Sequence, residues 1–428
     1  MKDITVILIH YTGQSALLKA LISLKNVSSR LKSIIVLHKI NTSVIYNFNN
    51  GDWSGRIQYI AIKDGNLGKT LSNMIHTIET NYVMFLYKND YIPSVAPVKA
   101  FNLPPSKAVL GTFYHNRNVV INFPLVVRTS LLREKQFLST FHLPFEEALF
   151  PSWLSTVENN LKSFKKGLVR QTMKNSSTDI FEKQRLMQKY QLEKTNTTNP
   201  SLSILISVYN METYVETAVV SCLLQNEQPD QLLVIDDGST DRSHQFLQQW
   251  NDGQKVMVFN KKNGGKARAL NELLPLVSSD FILELDADDW LDPDAVSVIK
   301  KRIAGLPDDV SVLYGNLRKW KQLTGDVIYK GVAKGTAIKG RTNLLAYRFP
   351  LGPRVYRTSS LRNIGGFPVI AFENGRLYED VSVLDRLLKQ SRLHYQDFTV
   401  YNVREHKESI TKNNLQSWKK FLKGLKER

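Results

Sequence analysis

The sequence predicts an α/β protein of two tandem, doubly wound domains joined by a helical linker, and three observations predict it. Short β-branched runs, apolar nearly throughout, alternate with amphipathic helical patterns, as expected for parallel strands covered on both faces. Six segments of the first half recur in the second half in the same order. At 428 residues the chain also exceeds one ordinary hydrophobic core.

The repeats fix the order of the elements. "ITVILIHYT" at 4–12 matches "LSILISVYN" at 202–210, and "IIVLHKINT" at 34–42 matches "LLVIDDGST" at 232–240. "NLGKTLSN" at 66–73 resembles "NGGKARALN" at 263–271, and "YVMFLYKND" pairs with "FILELDADD". Further on, "VVRTSLLREKQF" resembles "VYRTSSLRNIGGF", and "FEEALFPSWL" falls where "YEDVSVLDRLL" does. After each first strand comes a helix, with Leu17, Leu18, Leu21 and Leu24 in one copy and Val215, Ala218, Val219, Cys222 and Leu223 in the other. Ligands of such folds sit beyond the carboxyl ends of the strands. "VIDDGSTD" and "ELDADD" are polar clusters at two such ends, so both are expected to open into one crevice.

The expected domains are residues 1–157, a basic helical linker at 158–200 ending in a Thr/Asn/Pro breaker, a second domain at 201–411, and a basic amphipathic helix at 412–428. That last helix spaces Leu415, Trp418, Phe421, Leu422 and Leu425 at helical intervals. It either packs on the second domain or lies against a membrane surface.

Composition narrows the function classes. No apolar run reaches the roughly 18 residues a bilayer requires. The start, "MKDITVILIHYTG", reads as a first strand and not as a signal peptide. A single cysteine, Cys222, rules out an intramolecular disulfide and fits a reducing cytoplasm. The net charge of +18 is uneven: residues 1–200 hold 25 basic and 12 acidic side chains, residues 201–428 hold 32 and 27. The basic excess either solvates the surface or attracts phosphates, anionic polymers or a membrane face. Specific nucleic-acid binding is not expected, since no RNP-like, zinc-finger or bZIP pattern accompanies the charge.

"ELDADDWLDPD", residues 284–294, gathers five aspartates that repel one another and therefore need a reason. Side chains at i and i+2 of a strand point the same way, so Asp286 and Asp288 are expected to converge on one hard cation with Asp289 beside them. Oxygen ligands suit Mg²⁺ or Mn²⁺, which leave positions open for a substrate phosphate. Asp292 and Asp294 read as a helix start with proline in the first turn.

Together, "SILISVYNMETYVETAVVSCLLQ", "LLVIDDGSTDRS", "NKKNGGKARALN", "FILELDADDW", "IGGF" and "YEDVSVLDRLL" resemble the family 2 nucleotide-sugar glycosyltransferases of the GT-A fold, over about residues 200–411. The resemblance implies tandem GT-A (Rossmann-like) domains and metal-dependent, inverting transfer of a sugar from a nucleoside diphosphate donor, typically a UDP-sugar, to an acceptor hydroxyl. By position it implies Ser207 and Tyr209 in the nucleotide pocket, Asp237 on the base, and Lys266 and Arg268 toward the nucleotide or diphosphate. A serine at position 207 departs from the family's usual proline or threonine, and Arg268 also reads as a solvated helix residue. Asp286, Asp288 and Asp289 fall on the metal motif, where Mn²⁺ or Mg²⁺ would neutralise the leaving diphosphate. Asp380 falls on the catalytic base and Glu379 beside it orients the acceptor. His406 either completes the metal site or is a surface histidine.

The first copy lacks this set. His38 and Lys39 replace Asp236 and Asp237, Tyr87 replaces Asp286, Asn89 replaces Asp288, and only Asp90 persists opposite Asp289. Glu146 and Glu147 remain at the base position. A degenerate GT-A-like domain is therefore expected, which either binds a polymeric or phosphorylated acceptor or only supports its neighbour. The acceptor is expected to be a glycan, polymer or glycoprotein of the cell surface, and the site of action the cytoplasm or the inner face of the membrane. The alternative is a non-catalytic nucleotide-sugar or glycan scaffold. A sugar-phosphate nucleotidyltransferase would need an N-terminal glycine-rich loop, which is missing.

Overall fold

Ile4, Val6, Ile7, Leu8 and Ile9 are all fully buried, so the first strand runs through the middle of a sheet covered on both faces. The computed structural model describes residues 2–40, 53, 55–170, 177–347, 351–370, 378–407 and 420–421. They divide into two compact units, Met1–Gln191 and Leu192–Arg428.

In the first unit the strands are β1 (Ile4–Ile9), β2 (Leu31–His38), β3 (Ile57–Ala61), β4 (Tyr82–Tyr87), β5 (Val109–Asn116), β6 (Val119–Arg128) and β7 (Lys162–Phe164). In the second they are β8 (Leu202–Val208), β9 (Gln231–Asp236), β10 (Val256–Asn260), β11 (Phe281–Asp286), β12 (Trp290–Leu291), β13 (Val310–Leu323), β14 (Asp326–Ala333), β15 (Arg354–Arg357) and β16 (Arg392–Glu405). The first sheet runs β3-β2-β1-β4-β6-β5-β7 and the second β10-β9-β8-β11-β15-β13-β16-β12, with β14 paired to β13. The strand order of the first six positions is thus the same in both, which is the structural counterpart of the sequence repeat. Even the register agrees: Ile9 lies opposite Tyr87 in one unit, and Ser207 opposite Asp286 in the other.

The sheets are mixed, where the sequence pattern suggested parallel strands. The first four strands of each order are parallel, β6 and β15 then join antiparallel, and β5–β7 and β13–β16 pair parallel. β5 and β6 are separated by two residues, the first of them Arg117 with φ 53°, and this hairpin sets the two strands antiparallel.

Alternation along β8 shows why its strand is apolar throughout. Ile204, Ile206 and Val208 pack on one face with Val215, Ala218, Val219 and Cys222 of the helix Val215–Leu223. Leu205 packs on the other with Ala267, Leu270 and Leu273 of the helix Lys266–Leu273. Each such side chain contributes about 1.5–3 kcal/mol of burial. Cys222 is the buried helix residue the sequence suggested, its thiol pushed up to about 12 by burial.

Two segments behave differently from expectation. Residues 158–191 are built into the first unit: β7 pairs with β5, and the helix Thr178–Lys189 leads to Gln191, whose Oε1 accepts from Asn122 N at 3.1 Å. Asp292 is no helix start. It is fully buried, accepts from Arg318 Nη1 at 2.6 Å and Asn402 Nδ2 at 2.7 Å, and so ties β13 and β16 together. Asp294 occupies the N-cap position of the helix Ala295–Ile303, without a side-chain cap bond. Of the expected C-terminal helix, Leu415, Trp418, Leu422 and Leu425 lie outside the described residues. Phe421 is buried with its ring 4.7 Å from that of Tyr378.

Candidate active site

The acid-rich ends of β8, β9 and β11 and the start of the helix Glu379–Leu388 carry nearly all the singled-out residues. The hub joining them is one the sequence reading passed over. Glu284 lies on β11 two residues before Asp286 and is 2% exposed. Its carboxylate accepts from Arg354 Nε at 3.0 Å, Arg354 Nη2 at 2.9 Å and Tyr356 Oη at 3.1 Å, and it lies 2.7 Å from Lys266 Nζ. Burial alone would push Glu284 up, but Arg354 and Lys266 outweigh it and hold it well below the usual carboxylate range.

From that hub two cations reach outward. Lys266 Nζ also donates to Asp286 Oδ1 and lies 3.8 Å from Glu379 Oε1. Arg354 lies 3.6 Å from Asp286 Oδ2 and 3.7 Å from Asp380 Oδ2. The structure therefore brings Lys266, Asp286, Glu379 and Asp380 into one network through Glu284 and Arg354. Burial works against the Lys266 ammonium, yet Asp286 and Glu284 raise it well above its ordinary value.

Burial pushes the Glu379 carboxyl up to about 7, with Lys266 pulling against it and Asp380 adding to it. A folded-state value above the ordinary 4.5 means stability that is full below about 4.5 and lost as the pH rises toward 7. In metal-free protein the unfolding free energy of wild type, relative to Glu379→Gln, is expected to fall by roughly 2–3 kcal/mol over that window. Urea unfolding of both proteins at pH 5 and 7.5 reads it; parallel pH dependences would refute it.

Asp288 and Asp289 belong to the adjoining patch. Asp288 Oδ2 is 3.0 Å from His406 Nε2, and the Asp288 carbonyl accepts from Arg404 Nε at 2.8 Å. Asp289 is buried and accepts from Arg404 N at 2.8 Å. Burial, then Asp288 and Asp286, raise Asp289 well above the carboxylate range. The Arg404 guanidinium lies between the rings of Tyr214 and Trp290, 4.8 Å from each centroid, and burial draws it down to about 10.

Strand alternation does not run through Asp286, Asp288 and Asp289. β11 ends at Asp286, and Asp289 N donates back to Asp286 O at 3.1 Å, so a turn interrupts the alternation. Among the described residues no three His, Cys, Asp or Glu side chains stand together as a ready cation site. The donor set still suits a hard divalent cation. Asp288 and His406 supply oxygen and nitrogen at one point, both partly shielded, and Mg²⁺ or Mn²⁺ commonly takes one or two carboxylates and completes its shell with phosphate oxygens.

Asp237 sits on a separate side, 2% exposed. Its carboxylate accepts from Gly264 N at 2.9 Å, Gly265 N at 2.7 Å and Lys261 Nζ at 3.0 Å, which holds the glycine turn before the helix Lys266–Leu273. Gly238 must be glycine here, with φ 72° and the Asn263 amide 2.6 Å from where a Cβ would stand. An open cavity of about 530 Å³ adjoins, lined by Asp236, Gly238, Ser239, His244 and residues 260–262. Arg268 is exposed and donates to Gly264 O at 2.7 Å. Ser207 stands opposite Asp286 across β8 and β11, and Tyr209 is 42% exposed.

The corresponding place in the first unit is filled. Tyr87 is buried against the rings of His10, Phe123 and Phe150 at 5.7, 6.3 and 6.2 Å. The unit's carboxylates already have partners: Glu146 lies 2.7 Å from His10 Nε2, and Glu147 lies 3.2 Å from Lys88 Nζ. Asp90 is buried and accepts from Tyr87 N and Tyr114 Oη.

Known proteins bear on this arrangement. The glycosyl transferase family 2 domain profile matches residues 203–351. An uncharacterized glycosyltransferase of Haemophilus influenzae is 30% identical over 220 residues, which cover 51% of this chain and 84% of that protein. The chain belongs to glycosyl transferase family 2. Glycosyltransferase GlyA of Streptococcus pneumoniae is 22% identical over 226 residues, covering 51% of this chain and 32% of GlyA. The chondroitin synthase of Pasteurella multocida is 34% identical over 103 residues, covering 24% of this chain and 11% of that synthase. The matched segments thus span well under two thirds of these last two relatives. Among solved structures, TarS 1–349 of S. aureus in complex with UDP aligns with a TM-score of 0.38 and 21% identity, over 48% of this chain and 60% of that one. The family profile takes in Asp237, Lys266, Arg268, Asp286, Asp288 and Asp289, while Glu379, Asp380 and His406 follow it in the chain.

Proposed function

We propose that the second unit transfers a sugar from a nucleoside diphosphate donor, a UDP-sugar in the first instance, to an acceptor hydroxyl with inversion at the anomeric carbon. The observation that carries this is the Glu284–Arg354–Lys266 network, which links Asp380, Glu379 and Asp286. Asp380 is the base that takes the acceptor's hydroxyl proton, with Arg354 3.7 Å from its Oδ2. Glu379, close to half-protonated near neutrality, orients the acceptor by hydrogen bonding.

On the donor side, the cavity beside Asp237 offers room for the nucleoside. A carboxylate has about four acceptor positions, and three of Asp237's hold the glycine loop, leaving one for a base N–H. Lys266 exchanges Asp286 for the diphosphate. Asp288 and His406, with Asp286 and Asp289 adjoining, would hold Mn²⁺ or Mg²⁺. Bound there, the cation would supply charge neutralisation to the leaving diphosphate.

A glycan acceptor fits relatives named chondroitin synthase and hyaluronan synthase. No helix of the described residues is long and apolar enough to cross a membrane, and peripheral contact through residues 412–428 is part of the proposal. The first unit is proposed to be non-catalytic, Tyr87 packed where Asp286 stands in the second unit and Glu146 and Glu147 held by His10 and Lys88. Asn89→Ala should accordingly leave turnover unchanged, whereas a fall of tenfold or more would place chemistry in the first unit.

The mechanism is tested by supplying UDP-, GDP- and TDP-sugars with Mn²⁺ and an alcohol acceptor, and following the anomeric proton by NMR. The product's anomeric configuration should be opposite to the donor's. Retention would contradict single displacement.

A further inference from the structure

The first unit holds a face whose charge the proposed chemistry does not use. No aspartate or glutamate occurs from 91 to 133, which holds five lysines and arginines, or from 159 to 178, which holds five in only 20 residues. The fold joins them. β7 pairs with β5, placing Lys162 opposite Val109 and Phe164 opposite Gly111. Tyr91 and Arg170 form a β-bridge, with N···O distances of 3.1 and 2.9 Å. Lys107 Nζ donates to Asn160 O at 2.6 Å, and Lys165 Nζ donates to Ala100 O at 3.3 Å. Two separate acid-free segments thereby become one surface.

On that surface Lys99, Lys165, Lys166 and Arg170 are exposed. Of the acids bordering it, Asp3 pairs with Arg30 at 2.8 Å, Glu158 pairs with Lys135 at 3.1 Å and Asp90 is 2% exposed, while Glu134 at the end of the first stretch is exposed. A merely solvating surface intersperses both signs, whereas a single-sign field gathers counter-charge. Aromatic rings lie within it. Phe164 and Phe113 are half-buried with centroids 5.7 Å apart, and Tyr91 lies under Lys19 Nζ at 3.8 Å. Ring faces and edges of this kind pack against the C–H faces of pyranoses.

We propose that this face of the first unit is a docking surface for a linear anionic polysaccharide, the cations meeting its charged groups and the aromatics its sugar rings. A nucleic acid is less well matched, because the paired phenylalanines offer no run of stacking platforms and the face carries no groove-reading helix. An anionic membrane is less well matched too, because Val95 is the one large apolar side chain among the described residues 91–133 and 159–170 that is strongly exposed. The proposal rests on the glycosyltransferase reading only for its choice of a glycan; the charge argument stands without it.

The test is binding of a size-defined, fluorescently labelled polygalacturonate oligosaccharide to the full chain. Neutral dextran, polyphosphate, single-stranded DNA and phosphatidylglycerol vesicles serve as comparisons. Polygalacturonate should bind more tightly than every comparison and weaken as salt is added. Lys165→Ala/Lys166→Ala/Arg170→Ala should weaken it about tenfold or more, since three exposed charge contacts are lost. Lys99→Glu should weaken it independently, and neither variant should alter UDP binding to the second unit. Equal or tighter binding of polyphosphate, DNA or vesicles, or unchanged affinity in both variants, would overturn the proposal. If polygalacturonate binds as described while no nucleotide sugar does, the docking surface stands and the transferase reading falls.

Discussion

Asp380→Asn is expected to cut transfer by roughly 10²–10⁴-fold while leaving the donor's Kd within about twofold. Asparagine keeps the shape of the side chain but cannot take a proton, so the acceptor hydroxyl loses its base. Donor binding should survive because Asp380 meets the cations of the network at Arg354 alone among the ion pairs of the described residues, at 3.7 Å. Lys266, by contrast, touches Asp286 and Glu284 directly. Single-turnover rates and nucleotide titrations on the same preparation separate the two effects. A donor Kd that rises along with the loss of rate would make Asp380 a donor ligand and leave the reaction without its assigned base.

Glu284→Ala has the largest expected effect on stability. The substitution strips the shared counter-ion from Arg354, itself 7% exposed, and from Lys266 beneath the same crevice. Breaking a buried ion pair by removing one partner costs about 3–5 kcal/mol, because the remaining charge stays desolvated. For a unit of this size that lowers Tm by about 10 °C. Glu284→Gln keeps the volume and one acceptor but not the charge, and should fall between. The thermal transition of the second unit reads the series. A loss below about 1 kcal/mol in Glu284→Ala would mean that Arg354 and Lys266 find other partners and that the network is not built on Glu284.

How far the sequence discloses such a site depends on where each residue's partners lie. The central strands, the two helices behind β1 and β8 and the buried Cys222 follow from local apolar spacing, which a linear reading can see. Asp286 and Asp380 stand out because their neighbours form repeated motifs. Glu284 did carry a signal, a lone acid inside the apolar run "FILELD", and a charge there must be buried against a cation. Its cation, Arg354, lies 70 residues away with no motif of its own, so the pair is invisible before folding. Tyr401 and Arg404, which meet Asp286 and Asp289 from β16, are hidden for the same reason.

The misreadings are equally physical. Strand alternation was extended past the end of β11, where the chain instead turns at Asp286–Asp289. The "DPD" pattern suggested a helix start, but a complementary Arg318 on β13 draws Asp292 into the core. The first unit shows the converse. Its frame and register persist with Tyr87 where Asp286 stands, so the fold tolerates an aromatic plug at the position where chemistry asks for a carboxylate.

The most direct test is calorimetric titration of nucleoside diphosphates and their sugars into the full chain, with Mn²⁺ or with chelator. At least one nucleotide should bind in a Mn²⁺-dependent manner and lose tenfold or more in affinity in Asp288→Ala. No binding by any nucleotide, or the same affinity with chelator and in Asp288→Ala, would contradict a metal-assisted nucleotide-sugar site in the second unit.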